Sequence, residues 1–148
     1  MNELQFLFEK LNALRAGKLN IHEFKSCLNS LNEPFLKLIS RSNLLKMKHG
    51  DMEKIMSVAT IILPSCVKCN RIFKKGEFSN RSEHARCVVE VNKALKNNVL
   101  LEIIKPDWYQ PSPGQLGVDV YYKCYSCNAI WELVEPERHC HGLWDRIA

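Results

Sequence analysis

Two short cysteine pairs, Cys66-Val67-Lys68-Cys69 and Cys124-Tyr125-Ser126-Cys127, constrain this chain more than any other feature, because together they can present four thiolates to one tetrahedral ion. A CxxC turn holds two sulfurs on one side of a tight loop while backbone amides point back at them. Two such turns brought face to face complete a closed, all-sulfur site of the kind zinc favours. Asn70 and Asn128 follow the second cysteine of each pair, where such a turn asks for a left-handed backbone that glycine takes best and asparagine next best. On this reading Cys66, Cys69, Cys124 and Cys127 hold a structural Zn2+. Four thiolates leave no position for a reactive water, so the ion is expected to hold the fold together and not to catalyse.

Two other ligand sets compete. His84 and Cys87 complete a local CxxC…HxxC set with the first pair, and His139, Cys140 or His141 offers a replacement ligand near the C-terminus. Neither accounts for the second CxxC, and Cys87 falls one residue from an apolar helix face, where a small core thiol is the simpler explanation. A thioredoxin-like redox role needs a CxxC at a helix start between strands, and neither pair is expected there. Other chemistry is thin: the sequence has no phosphate-binding glycine loop, HExxH or GxSxG. Gly17 to Phe24 looks like the exit of a calcium loop without the oxygen ligands upstream.

Seven cysteines in 148 residues raise the question of a disulfide scaffold, but the number is odd and Met1 to Glu9 carries acids and no long apolar run. Reduced thiols and a cytoplasmic location are therefore expected. The longest apolar stretch, around residues 57–64, is too short to span a bilayer.

Apolar spacing predicts four helices in residues 1–63. The first runs from about Asn2 to Ala16 through Leu4, Leu7, Phe8, Leu11 and Leu14, and ends at Gly17. Asn20 with Glu23 forms the capping box of a second, Pro34 opens a third that runs through Phe35 and Leu45 toward His49, and Asp51 caps a fourth. Residues 64–148 read as a zinc-ribbon-like unit: strands at 71–74, 99–104, 118–123 and 129–134, a helix from Ser82 facing inward through Ala85, Val88, Val89 and Leu95, and a loop from Pro106 to Gly117. The expected fold class is α+β, an N-terminal helical bundle packed on an antiparallel sheet of three or four strands with an inserted helix. The short connection near Leu63 and Pro64 favours one body.

Charge is uneven. Residues 1–63 hold nine basic and six acidic groups, residues 64–99 eight and three, and residues 100–148 four and seven. The basic middle, with Lys68, Arg71, Lys74, Lys75, Arg81 and Arg86 interleaved by Phe73 and Phe78, suggests phosphate contact, so a zinc-ribbon nucleic-acid binder is one reading. The acidic end opposes it, because half of the ribbon would repel a nucleic-acid backbone. A surface of Glu132, Glu135, Glu137, Trp144 and Asp145 suits a basic protein partner instead.

The run Tyr122 to Leu133, with its knuckle and Trp131, then Glu135-Pro136-Glu137 and Gly142-Leu143-Trp144, resembles the tail of small bacterial immunity proteins of polymorphic or contact-dependent toxin systems. The helix, Gly-Lys-Leu and helix with Glu-Phe at the start is similar to helical openings in such proteins. The tail covers about a fifth of the chain, and Asn128 stands where glycine is usual. The resemblance implies a cytoplasmic, non-enzymatic inhibitor that occludes the active site or substrate groove of one cognate toxin domain, with a nuclease as the example that an acidic surface suits.

Overall fold

The computed structural model describes residues 2–111 and 119–148; Val118 and the 112–117 part of the expected loop lie outside the described residues. The chain divides into two compact units, Met1–Pro64 and Ser65–Ala148. The first is helical and the second carries the sheet, so the α+β class is as expected. No helix among the described residues is long and apolar enough to cross a membrane.

In the first unit, α1 (Glu3–Arg15) starts where the Asn2 side chain accepts the Gln5 N–H. It ends in a left-handed Gly17, φ +75°, with the Gly17 and Lys18 N–H groups turned back to the Leu14 and Ala13 carbonyls. α2 (Ile21–Asn29) carries the Asn20/Glu23 capping box in both directions. The expected third helix is broken into α3 (Glu33–Leu36) and α4 (Arg41–His49). Leu38 and Ile39 bond three residues back, and the Ser40 hydroxyl accepts the Asn43 N–H, which starts a new helix instead of continuing the old one. Leu38 is left 83% exposed as a result. α5 (Met52–Ile62) is capped by Asp51. Leu7, Leu11, Phe24, Leu28, Met47, Ile55 and Met56 form the interior.

The second unit holds α6 (Val67–Asn70), β1 (Gly76–Glu77), α7 (Arg81–Lys96), β2 (Leu100–Ile103), β3 (Asp119–Cys124), β4 (Ile130–Val134) and β5 (Leu143–Arg146). The strands form one antiparallel sheet in the order β1-β5-β4-β3-β2. Two strands differ from expectation. Residues 71–74 make no strand, because the first CxxC sits on a helical turn and the chain pairs only from Gly76. The C-terminal segment, read as a contact region, is β5, with Leu133 opposite Trp144 and Trp131 opposite Arg146.

α7 begins at Asn80, whose side chain accepts the Glu83 N–H. Its inward face is centred on Cys87, Val91 and Ala94; of the expected set, Val88 and Leu95 are half-buried and pack against the same core, whereas Ala85 and Val89 are exposed. Both sets obey helical spacing, and the side that meets the sheet decides between them. The core it joins contains Leu100, Tyr122, Trp131, Leu133 and Trp144, continuous with Cys69 and Cys124. Trp131 and Trp144 stack with centroids 5.0 Å apart and planes 8° from parallel. Neighbouring strands bring these indoles onto the same face of the sheet.

Candidate metal centre

The two CxxC segments reach the site by different local structures. Cys66 is the N-cap of the single-turn α6 and Cys69 lies within it, with the Asn70 N–H donating to the Cys66 carbonyl at 3.1 Å. The first pair therefore does sit at a helix start, contrary to expectation, and Asn70 has helical backbone with no left-handed turn. Cys124 ends β3, and the turn back to β4 carries Cys127. There the Asn128 N–H bonds the Cys124 carbonyl at 3.0 Å, the Cys124 N–H bonds the Ala129 carbonyl at 2.9 Å, and Asn128 takes the left-handed conformation at φ +65°.

Four sulfurs converge. Cys66 Sγ lies 3.7 Å from Cys69 Sγ and 3.5 Å from Cys124 Sγ, and Cys69 Sγ lies 3.6 Å from Cys127 Sγ. All four ligand atoms fall within 4.8 Å of one another, and among the described residues this is the group that can hold a metal ion. A disulfide needs sulfurs about 2.05 Å apart, so these are free thiols. A zinc–thiolate tetrahedron with bonds of about 2.3 Å has edges of about 3.8 Å. The three short sulfur separations, 3.5–3.7 Å, match such an edge.

The electrostatics fit it too. Cys69 is driven strongly upward, chiefly by its hydrogen bond with Cys127 and then by burial, while Cys127 is driven down, first by that same bond. The pair divides one proton because two neighbouring thiolates repel. Burial raises Cys124, against the lowering effect of the Cys127 and Ser126 backbone. A divalent cation removes this conflict by making all four thiolates favourable at once. Arg146 on β5 adds a fixed positive charge: burial opposes its protonation, whereas the sulfurs of Cys127 and Cys69 favour it, and its Nε donates to the Ala148 carbonyl at 3.0 Å. Sequence reasoning missed Arg146 because its place beside the site depends on β5, a strand whose pairing it did not foresee.

The rival ligands lie elsewhere. Cys87 is fully buried in the core, its thiol pushed up to about 12 by burial and then by Glu90. His84 meets Phe78 edge-on at 5.7 Å. Cys140 is exposed on a tight turn closed by paired backbone bonds with Glu137, and its Sγ accepts the Gly142 N–H at 3.2 Å; His139 and His141 are exposed beside it.

The expected acidic contact surface is only partly a surface. Glu132 is 3% exposed and accepts the Tyr109 hydroxyl at 2.7 Å, with Tyr121 edge-on to Tyr109. Trp144 is completely buried in the indole stack. Glu135 and Asp145 are exposed and Glu137 is half-buried. On the basic side, Lys68, Arg71, Lys74, Lys75, Arg81 and Arg86 are all exposed, but Phe78 is buried and packs edge-on with the half-buried Phe73, so these rings support the fold and do not offer a stacking platform. Comparisons with protein-family models, curated proteins and solved structures yield no match to this chain.

Proposed function

We propose that this chain is a zinc-stabilised, non-enzymatic binding protein, a cytoplasmic inhibitor that occupies the active site or substrate groove of one cognate bacterial toxin domain. The observation that supports the binding-protein part is the convergence of four cysteine sulfurs. Four cysteines at tetrahedral spacing leave a bound ion no vacant position for substrate or water, so its contribution goes into folding. The toxin-inhibitor part rests on the resemblance of the segment from Tyr122 to Trp144 to immunity proteins. With Glu132 and Trp144 in the interior, Glu135 and Asp145 are the exposed acidic members of the expected contact set.

A nucleic-acid reading keeps one specific observation in its favour, the six exposed cations between residues 68 and 86. The experiment that separates the two is binding of the purified protein to the product of the adjacent reading frame, run beside DNA and RNA retention at moderate salt. A one-to-one protein complex with no nucleic-acid retention supports the inhibitor. Salt-sensitive retention with no protein complex refutes it. Native mass spectrometry of the same sample tests for one zinc per chain.

A further inference from the structure

The sheet ends in two edges of unlike character. β1 is two residues long and follows Lys74 and Lys75, a short, charged edge that resists pairing with another chain. β2, at the opposite side, is less guarded: Leu101 is 44% exposed and Ile104, one step beyond the strand, 88%. Among the described residues no strand lies on its outer side.

Two hydrogen bonds fix which backbone groups of β2 face outward. The Val99 carbonyl accepts the Tyr125 N–H at 3.1 Å, while the Val99 N–H turns to the Ala94 carbonyl, so Val99 directs its carbonyl and, by alternation, Leu101 and Ile103 direct both backbone groups toward β3. Cys124, the partner of Leu100, sends its N–H the other way, to the Ala129 carbonyl. Leu100, Glu102 and Ile104 therefore turn N–H and C=O away from the sheet. This is the donor and acceptor pattern that an added antiparallel strand requires.

The exposed Glu102 favours a basic occupant over a second copy in the symmetric register. If a second copy of β2 paired here, the register that matches Leu101 with Ile103 also places Glu102 opposite its own symmetry mate, and like charges directly across a strand pair are destabilising. A Lys or Arg in that position converts the repulsion into attraction, and apolar residues on either side of it meet Leu101 and Ile103.

We infer that β2 is the docking edge for an extended segment of a protein partner, a strand with a Lys or Arg opposite Glu102 and an apolar residue on each side. The inference rests on the reading of this chain as a protein-binding module and adds where the partner's strand lies. It is tested by NMR titration of the full chain with a blocked Thr-Thr-Val-Lys-Val-Thr-Thr peptide and with its counterpart carrying a central Glu. The lysine peptide is expected to shift the Glu102 and Ile104 amides, slow their exchange, and bind about fivefold more tightly than the glutamate peptide. Glu102→Lys is expected to reverse that preference with the fold unchanged. Three results overturn the inference: no perturbation of these amides, equal affinity for both peptides, or concentration-dependent perturbation of the same amides without peptide, which would assign the edge to a second copy. A protein that takes the lysine peptide at β2 yet forms no complex with a toxin domain refutes the inhibitor reading alone.

Discussion

Trp144 is the residue on which a surface reading and an interior reading differ most, and Trp144→Ala separates them. The side chain is fully buried, stacked on Trp131 and 6.1 Å from the Tyr122 ring. A tryptophan buries roughly 150–250 Å² of area, worth about 4–6 kcal/mol at about 25 cal/mol/Å². Because the unfolded chain is already partly collapsed, and measured Trp→Ala losses in cores run at about 3–5 kcal/mol, the lower half of that range is expected. The lost stack, about 0.5–1.5 kcal/mol, is contained in that loss. A unit of roughly 80 residues has a total stability of about 4–12 kcal/mol, so this one change removes a large share of it. Urea unfolding of the metal-loaded protein, followed by circular dichroism, is expected to show the midpoint falling by about 1–4 M. Trp144→Phe, which keeps an aromatic ring in the stack, is expected to recover much of the loss. An unchanged midpoint in Trp144→Ala would place the indole at the surface and refute the reasoning.

Three further outcomes follow from the geometry. Cys127→Ser removes one vertex of the sulfur tetrahedron, and the variant is expected to lose bound zinc in native mass spectra and the sheet-unit transition in thermal melts; retention of one zinc per chain with an unchanged melt would exclude the four-cysteine site. Gly142 has φ +78°, and an added Cβ would collide with the Val134 carbonyl oxygen, so Gly142→Ala is expected to destabilise by at least about 1–3 kcal/mol, measured by denaturant unfolding. Burial raises the phenols of Tyr109, Tyr121 and Tyr122, the last to about 12, which makes the neutral form the one that suits the folded state. The stabilisation is full below the unfolded value near pH 10 and is lost as pH rises through the folded values, so tyrosinate absorbance from these rings should lag until the fold opens; normal titration near pH 10 in folded protein would contradict it.

Much of this architecture was legible in local chemistry. Asn20 with Glu23 and Asp51 announced their helices because capping involves residues three apart, and the two CxxC pairs announced their shared site because ligand spacing is itself local. Where the reading failed, the deciding partner was distant. Ser40 sits within an apolar run that keeps helical period, so nothing nearby marked it as the cap of a new helix. Glu132 lies on the sheet face away from Trp131 and Leu133, which alternation assigns to solvent until Tyr109 covers it. Trp144 looked like a contact residue because its strand partner, Leu133, is far away in sequence.

These displacements alter the functional argument as well as the map. An acidic contact surface built on Glu132 and Trp144 would need both to leave the core, at the cost of the Tyr109 hydrogen bond and the indole stack. Contact through Glu135, Asp145 and the β2 edge leaves the interior as it is. The sulfur site sits where β3 turns into β4, and β3 is the strand on which β2 pairs. An ion at Cys124 and Cys127 would therefore fix the strand that holds the proposed docking edge in register. Metal removal is then expected to weaken partner binding through loss of that edge, and restoring zinc should restore β2 amide protection and binding together. Recovery of one without the other would separate the metal from the interface.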